Sequence, residues 1–97
     1  MISQKDRERA EYLCETIERL SGLDPMVNTR KWDVVSVRMM VAAVLLAESW
    51  TLEDVGKYFG KNHSTICHYV KRLKRIDGAG WEAEWDLYQR FLKEISK

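Results

Sequence analysis

The segment from Thr51 to Arg75 has the pattern of two short helices separated by one glycine, Gly60. On each side of that glycine, apolar residues recur at spacings of three and four, as on one face of an amphipathic helix. They are Leu52, Val55 and Phe59 before the glycine and Ile66, Val70 and Leu73 after it. Glycine tolerates positive φ, and Thr51 and Asn62 are favourable N-cap residues. The segment therefore predicts a helix-turn-helix, a unit typical of proteins that bind duplex DNA.

Basic residues are concentrated in the same segment. From Lys57 to Arg75 there are six basic residues and no acidic one, although the whole chain of 97 residues has a formal net charge of +1. Residues 1–24, 25–56 and 76–97 each carry more acidic than basic residues. A local positive excess attracts phosphates, whereas charge alone is equally typical of a solvated lysine-rich helix face. Combined with the glycine-broken helix pair, the charge favours DNA binding.

These residues resemble the C-terminal DNA-binding domain of the bacterial replication initiator DnaA. The most specific stretch of that family has leucine, an acidic residue, isoleucine or valine and glycine, then phenylalanine and glycine. A basic residue, aspartate, histidine, serine or threonine, threonine, valine, leucine and histidine follow. The matching residues here are Leu52, Asp54, Val55, Gly56, Phe59, Gly60, Lys61, Asn62, His63, Ser64, Thr65, Ile66, Cys67 and His68. Upstream, residues 29–31 resemble the family's basic loop, and Arg38 begins the long apolar helix that follows it. Asn62 departs from the family's aspartate.

The resemblance covers roughly residues 24–76 and implies a Trp repressor-like, all-α fold that binds duplex DNA. The second helix of the pair would enter the major groove, and Arg30 would enter a narrow, A·T-rich minor groove. The family implies a role in replication, origin binding or the regulation of transcription. The candidate DNA-binding residues are Arg30, Lys31, Arg38, Lys57, Lys61, Asn62, His63, Ser64, Thr65, His68, Lys71 and Lys74. The full initiator also hydrolyses ATP, but this chain has no G-x-x-x-x-G-K-[ST] motif, so no nucleotide is expected.

Several candidates have a purely structural alternative. His63 contacts DNA or is simply an exposed histidine, and Arg30 reads the minor groove or is a solvated loop arginine. Thr65 hydrogen-bonds to DNA or completes a helix cap, and His68 contacts a phosphate or is half-buried. Asn62 reads a base, since asparagine pairs bidentately with adenine whereas aspartate accepts from cytosine, or it only caps the second helix.

The remainder of the chain predicts one all-α domain of about five helices. A first helix occupies residues 1–22, the DNA-binding core residues 24–76 and a terminal amphipathic helix residues 81–96. Asp33 is expected to cap a long, buried helix that ends near Glu48 and supports the helix-turn-helix. Residues 78–80 are expected to be the one flexible stretch. The first helix packs onto the domain or onto another chain. The last helix has an aromatic seam that is either core or a surface for a homodimer or partner protein; its residues are Trp81, Trp85, Tyr88, Leu92 and Ile95.

Other classes of function have little support in the sequence. His63, Cys67 and His68 lie close together, but a zinc site needs three or four convergent ligands and the second thiol is distant. No set of nucleophile, base and carboxylate is apparent, so we expect neither an enzyme nor a cofactor. Two cysteines without a signal peptide indicate reduced thiols in the cytoplasm. The longest apolar run, residues 39–47, is too short for a membrane span. The competing hypothesis is a protein-interaction or dimerisation module in which the helix pair is only scaffold.

Overall fold

The computed structural model describes residues 2–75 and 81–97, and within these ranges the chain forms five α-helices and no strand. The helices are α1 (Gln4–Ser21), α2 (Trp32–Ala47), α3 (Leu52–Phe59), α4 (His63–Leu73) and α5 (Glu82–Ile95). This confirms the predicted all-α class and the number of helices. The predicted end of the DNA-binding core at residue 76 and the stretch 78–80 lie outside the described residues.

Helix α2 forms the centre of the fold, because it is apolar on nearly every side. Its buried side chains include Val37, Met40, Val41 and Leu45, each with no exposed surface. Helices α1, α3 and α4 all pack against it. Burial of apolar surface stabilises the folded state by about 25 cal/mol for each Å². The packing of α3 and α4 on α2 therefore stabilises the position of this helix pair.

Helix α1 is bounded by two clear capping signals. Ser3 accepts a hydrogen bond from the Asp6 amide, Asp6 accepts one from the Ser3 amide, and Gly22 ends the helix with φ of 76°. This reciprocal pair satisfies amides that would otherwise lack a partner. The apolar face of α1 packs on α2 and α5, with Leu13 and Ile17 fully buried.

The turn between α3 and α4 depends on two glycines. Gly60 has φ of 69° and ends α3 in the left-handed conformation. The Lys61 amide donates to the Gly56 carbonyl oxygen over 2.8 Å. This is the hydrogen bond, spanning five residues, that closes a helix C-terminus in the Schellman motif. A β-carbon at Gly56 would lie 2.5 Å from the Lys61 carbonyl oxygen. Gly56 therefore permits the turn to fold back closely on α3, a requirement that the helical pattern alone does not show.

The prediction that Asp33 caps α2 is wrong by two residues. The N-cap is Lys31, without a side-chain hydrogen bond, and Asp33 lies within the first turn. There its carboxylate accepts a hydrogen bond from the Val34 amide over 2.8 Å. Acidic residues are favourable anywhere in the first turn of a helix, so the same sequence signal is compatible with either position.

The aromatic seam of α5 is only partly a core feature. Phe91, which is not a member of the predicted seam, is fully buried, whereas Trp85 is 40% exposed. Tyr88, Leu92 and Ile95 are half-buried against the core. The buried face of α5 is thus centred on Phe91 and not on the predicted seam, because α5 packs mainly on α1.

Candidate nucleic-acid interface

One face of α4 is exposed and carries five of the twelve candidate residues. His63, Ser64, His68 and Lys71 are exposed along it, and Lys74 follows at the C-cap. The opposite face buries Ile66, Tyr69 and Leu73 against the rest of the fold. Because the buried face is fixed by α2 and α3, the polar face is held in one orientation toward solvent.

The first turn of α4 differs from the first turns of the other four described helices. Each of those contains at least one acidic residue, whereas α4 contains none. Acidic side chains in a first turn offset the partial positive charge of a helix N-terminus. In α4 this charge is left available, next to His63 and Ser64.

Asn62 is the N-cap of α4. Its side-chain oxygen accepts hydrogen bonds from the Thr65 amide over 2.9 Å and from the Thr65 hydroxyl over 3.1 Å. Both lone pairs of that oxygen are therefore used within the helix cap. Bidentate pairing of Asn62 with adenine would require the cap to open, whereas the exposed amide nitrogen remains in a position to donate. The cap role that the sequence left open for Thr65 is also present.

Residues 24–31 form a loop beside α4. Hydrogen bonds within the loop and one from Lys61 stabilise it. The Asp24 carboxylate accepts from the Met26 amide over 2.9 Å, and the Thr29 hydroxyl accepts from the Lys31 amide over 3.2 Å. The Lys61 ammonium donates to the side-chain oxygen of Asn28 over 3.1 Å. Arg30 and Lys31 are exposed on this loop. The loop is thus connected directly to the turn that precedes α4.

Arg38, which was predicted to contact DNA, lies in a different environment from the other candidates. Its side chain is 2% exposed and donates to the Pro25 and Val27 carbonyl oxygens and to the Tyr69 hydroxyl. A guanidinium surrounded in this way has no free surface for a phosphate. Arg38 instead supports the loop and joins it to α4.

The remaining basic candidates lie around the same face. Lys57 is exposed, with its ammonium 3.3 Å from a carboxylate oxygen of Glu53. Such an exposed pair within one helix contributes only about 0.3–0.5 kcal/mol, so it leaves Lys57 able to exchange partners. Lys61 is half-buried between the loop and α4.

Two residues near this face were missed by the sequence analysis. The Arg72 guanidinium lies 5.3 Å from the centre of the Trp32 ring, and the Trp32 indole N–H donates to Glu84 over 3.2 Å. Arg72 belongs to the basic segment, so its charge was visible. The orientation of the Arg72 side chain could not be predicted, because Trp32 is forty residues away in the sequence and Glu84 belongs to a different helix.

Among residues 2–75 and 81–97 there is no group of three or more histidine, cysteine or acidic side chains placed to hold a metal ion. Cys14 and Cys67 are both free thiols. None of the described helices combines the length and apolar character required to cross a membrane.

Comparison with protein-family models, with curated proteins and with solved structures found no significant match to this chain. A proposal for the function of the candidate site therefore rests on the geometry, the charge and the residue pattern of this chain.

Proposed function

We propose that this protein binds duplex DNA, with α4 in the major groove and the loop of residues 24–31 at the adjacent minor groove. The observation that carries the proposal is the shared location of the exposed candidates. His63, Ser64, His68 and Lys71 line one face of α4, and the loop with Arg30 lies beside it. Side chains of these types hydrogen-bond to phosphates and base edges.

The charge distribution supports the same proposal. The basic segment of residues 57–75 has no acidic residue, and the three flanking ranges are mildly acidic. A protein with this distribution is attracted to phosphates at one surface and repelled elsewhere, which orients it during encounter. The lack of an acidic residue in the first turn of α4 also favours an approaching phosphate.

We further propose that the chain is related to the DnaA C-terminal domain and shares its Trp repressor-like fold and its mode of DNA recognition. The support is the residue pattern from Leu52 to His68 together with the helix-turn-helix geometry of α3 and α4. Such a protein would act in replication, in origin binding or in the regulation of transcription, inside the cytoplasm.

A second candidate is a protein-interaction or dimerisation module, and one observation favours it. Trp85 is 40% exposed and borders an apolar recess of about 310 Å³ lined also by Ala43, Val70, Leu73, Lys74 and Tyr88. Exposed tryptophans of this kind are common at protein interfaces. This function predicts no affinity for duplex DNA at low salt, and a dimerisation module also predicts a mass of two chains in solution.

Selection of binding sites from a random duplex pool tests the proposal. A specific DNA-binding protein enriches a consensus of several base pairs, with an A·T-rich flank if Arg30 enters the minor groove. A control selection uses a variant with His63, Ser64 and Lys71 all replaced by alanine, which leaves the buried face of α4 intact. A pool that remains random with the wild-type protein would contradict the proposal.

A further inference from the structure

A groove of about 540 Å³ separates the loop of residues 24–31 from α4. It is lined by nine residues, among them Arg30, Arg38, Lys61 and Arg72. Four of these nine side chains are cationic, and none is acidic. The groove therefore has the charge of a site for an anion.

Arg38 at the groove strengthens this conclusion, because its charge is buried. Its described hydrogen bonds go to the Pro25 carbonyl over 2.9 Å, the Tyr69 hydroxyl over 3.1 Å and the Val27 carbonyl. All three acceptors are uncharged. Arginine stays protonated in proteins, and a buried charge is costly unless an opposite charge lies nearby. An anion in the groove would supply that charge.

Arg72 is held in the groove by an aromatic surface. Its guanidinium lies 5.3 Å from the centre of the Trp32 ring, and Trp32 is fixed in turn by its indole N–H, which donates to Glu84 over 3.2 Å. A guanidinium is planar, and an indole ring at this distance attracts it and restrains its position. The edge of that plane is suited to the oxygens of a phosphate.

We propose that this groove binds a single backbone phosphate of the duplex through Arg72, with Trp32 as the residue that positions Arg72. This inference rests on the proposed DNA binding, although DNA binding could occur without the contacts that it names. Arg38 contributes charge from beneath without touching the phosphate. In this arrangement α5 also takes part in recognition, since Glu84 orients the indole.

A scan with methylphosphonates tests this assignment. Each backbone phosphate of a selected duplex is replaced in turn by the neutral methylphosphonate, and the affinity is measured for the wild type and for Arg72→Ala. At one position the replacement should weaken wild-type binding about tenfold, the order expected for a hydrogen bond to a charged group. The same replacement should have little effect on Arg72→Ala, because the contact is already absent.

Two further variants separate positioning from folding. Trp32→Leu should lose the same position-specific sensitivity as Arg72→Ala, whereas Trp32→Phe retains an aromatic face and should recover most of it. Arg90→Ala on α5 removes an equal charge at an exposed position paired with Asp86, and it should keep the wild-type pattern. If Trp32 acted only as core, the folded leucine and phenylalanine variants would both keep the wild-type sensitivity at that position.

Three results would overturn the proposal. If the wild type and Arg72→Ala show the same penalty at every position, DNA binding stands but the groove does not hold a phosphate. If no position matters but inorganic phosphate shifts the NMR signals of the Arg72 and Trp32 side-chain N–H groups, the site takes a free anion instead. If the wild type binds no duplex at low salt, this assignment and the proposed function fail together.

Discussion

Asn62 offers the sharpest separation of a structural from a recognition role. Its side-chain oxygen accepts from the Thr65 amide over 2.9 Å, so Asn62→Ala removes the cap of α4. Loss of an N-cap costs about 1 kcal/mol, which lowers the melting temperature of a domain of this size by about 4–8 °C. Asn62→Asp keeps a carboxylate oxygen in the same place, and a negative charge at a helix N-terminus is favourable by about 0.3–1 kcal/mol. The aspartate variant should therefore be at least as stable as the wild type.

DNA recognition should respond in a different order. The Asn62 oxygen is occupied by the cap, so its amide nitrogen is left to donate to an acceptor on a base. An aspartate at the same position would have no donor, and its second oxygen would accept from a cytosine amino group. Asn62→Asp should thus shift the preference at one base pair by about 1–3 kcal/mol and leave other positions unchanged.

Two measurements decide between these roles: thermal unfolding followed by circular dichroism, and binding-site selection with the wild type and the aspartate variant. Equal stability with a changed base at one position supports base contact. Identical consensus sequences would mean that Asn62 acts only as a cap. A loss of stability in Asn62→Asp as large as in Asn62→Ala would refute the capping geometry itself.

Three other predictions address the turn, the loop and the thiols. Gly56→Ala should destabilise the fold by about 1–3 kcal/mol, because the new β-carbon would lie 2.5 Å from a carbonyl oxygen of the turn; denaturant unfolding measures this, and an unchanged midpoint contradicts it. Arg30→Ala should weaken binding most on duplexes with A·T-rich flanks, whereas Lys74→Ala should weaken binding to all duplexes alike. If Arg30→Ala lost the same affinity on A·T-rich and G·C-rich flanks, the loop would contact only phosphates. Burial raises the pKa of the Cys14 thiol to about 12, so half-exposed Cys67 should react first with a thiol reagent at neutral pH. Bound duplex should slow the reaction of Cys67. Equal rates for the two thiols would contradict the burial of Cys14.

The pair of helices α3 and α4 was predictable because its signals are local. The spacing of Leu52, Val55 and Phe59, the break at Gly60 and the cap at Asn62 all act within a few residues. Each of these signals corresponds to a feature of the structure: an apolar face, a φ of 69° and a capping hydrogen bond. Local patterns of this kind identify the existence and type of helices well.

The roles of Arg38, Arg72 and Phe91 were not predictable, because each depends on contacts between distant segments. Arg38 lies among apolar residues of α2, yet its partners are loop carbonyls and a tyrosine of α4. Arg72 is directed by Trp32, and Phe91 is buried because α5 packs on α1, which the aromatic spacing within α5 does not show. Periodicity shows which face of a helix is apolar, but tertiary packing decides which polar groups that face encloses.

The salt dependence of affinity for duplex DNA tests the central claim most directly. With Arg38 buried, we propose that about five cations from the set Arg30, Lys57, Lys61, Lys71, Arg72 and Lys74 reach phosphates, and each such contact would release counter-ions. A plot of log K against log[salt] should therefore fall with a slope of roughly −4 to −5. Fluorescence anisotropy of a labelled duplex measures this across a salt series, with a duplex of scrambled sequence as the control. A slope near zero, or no binding at the lowest salt, would contradict the account.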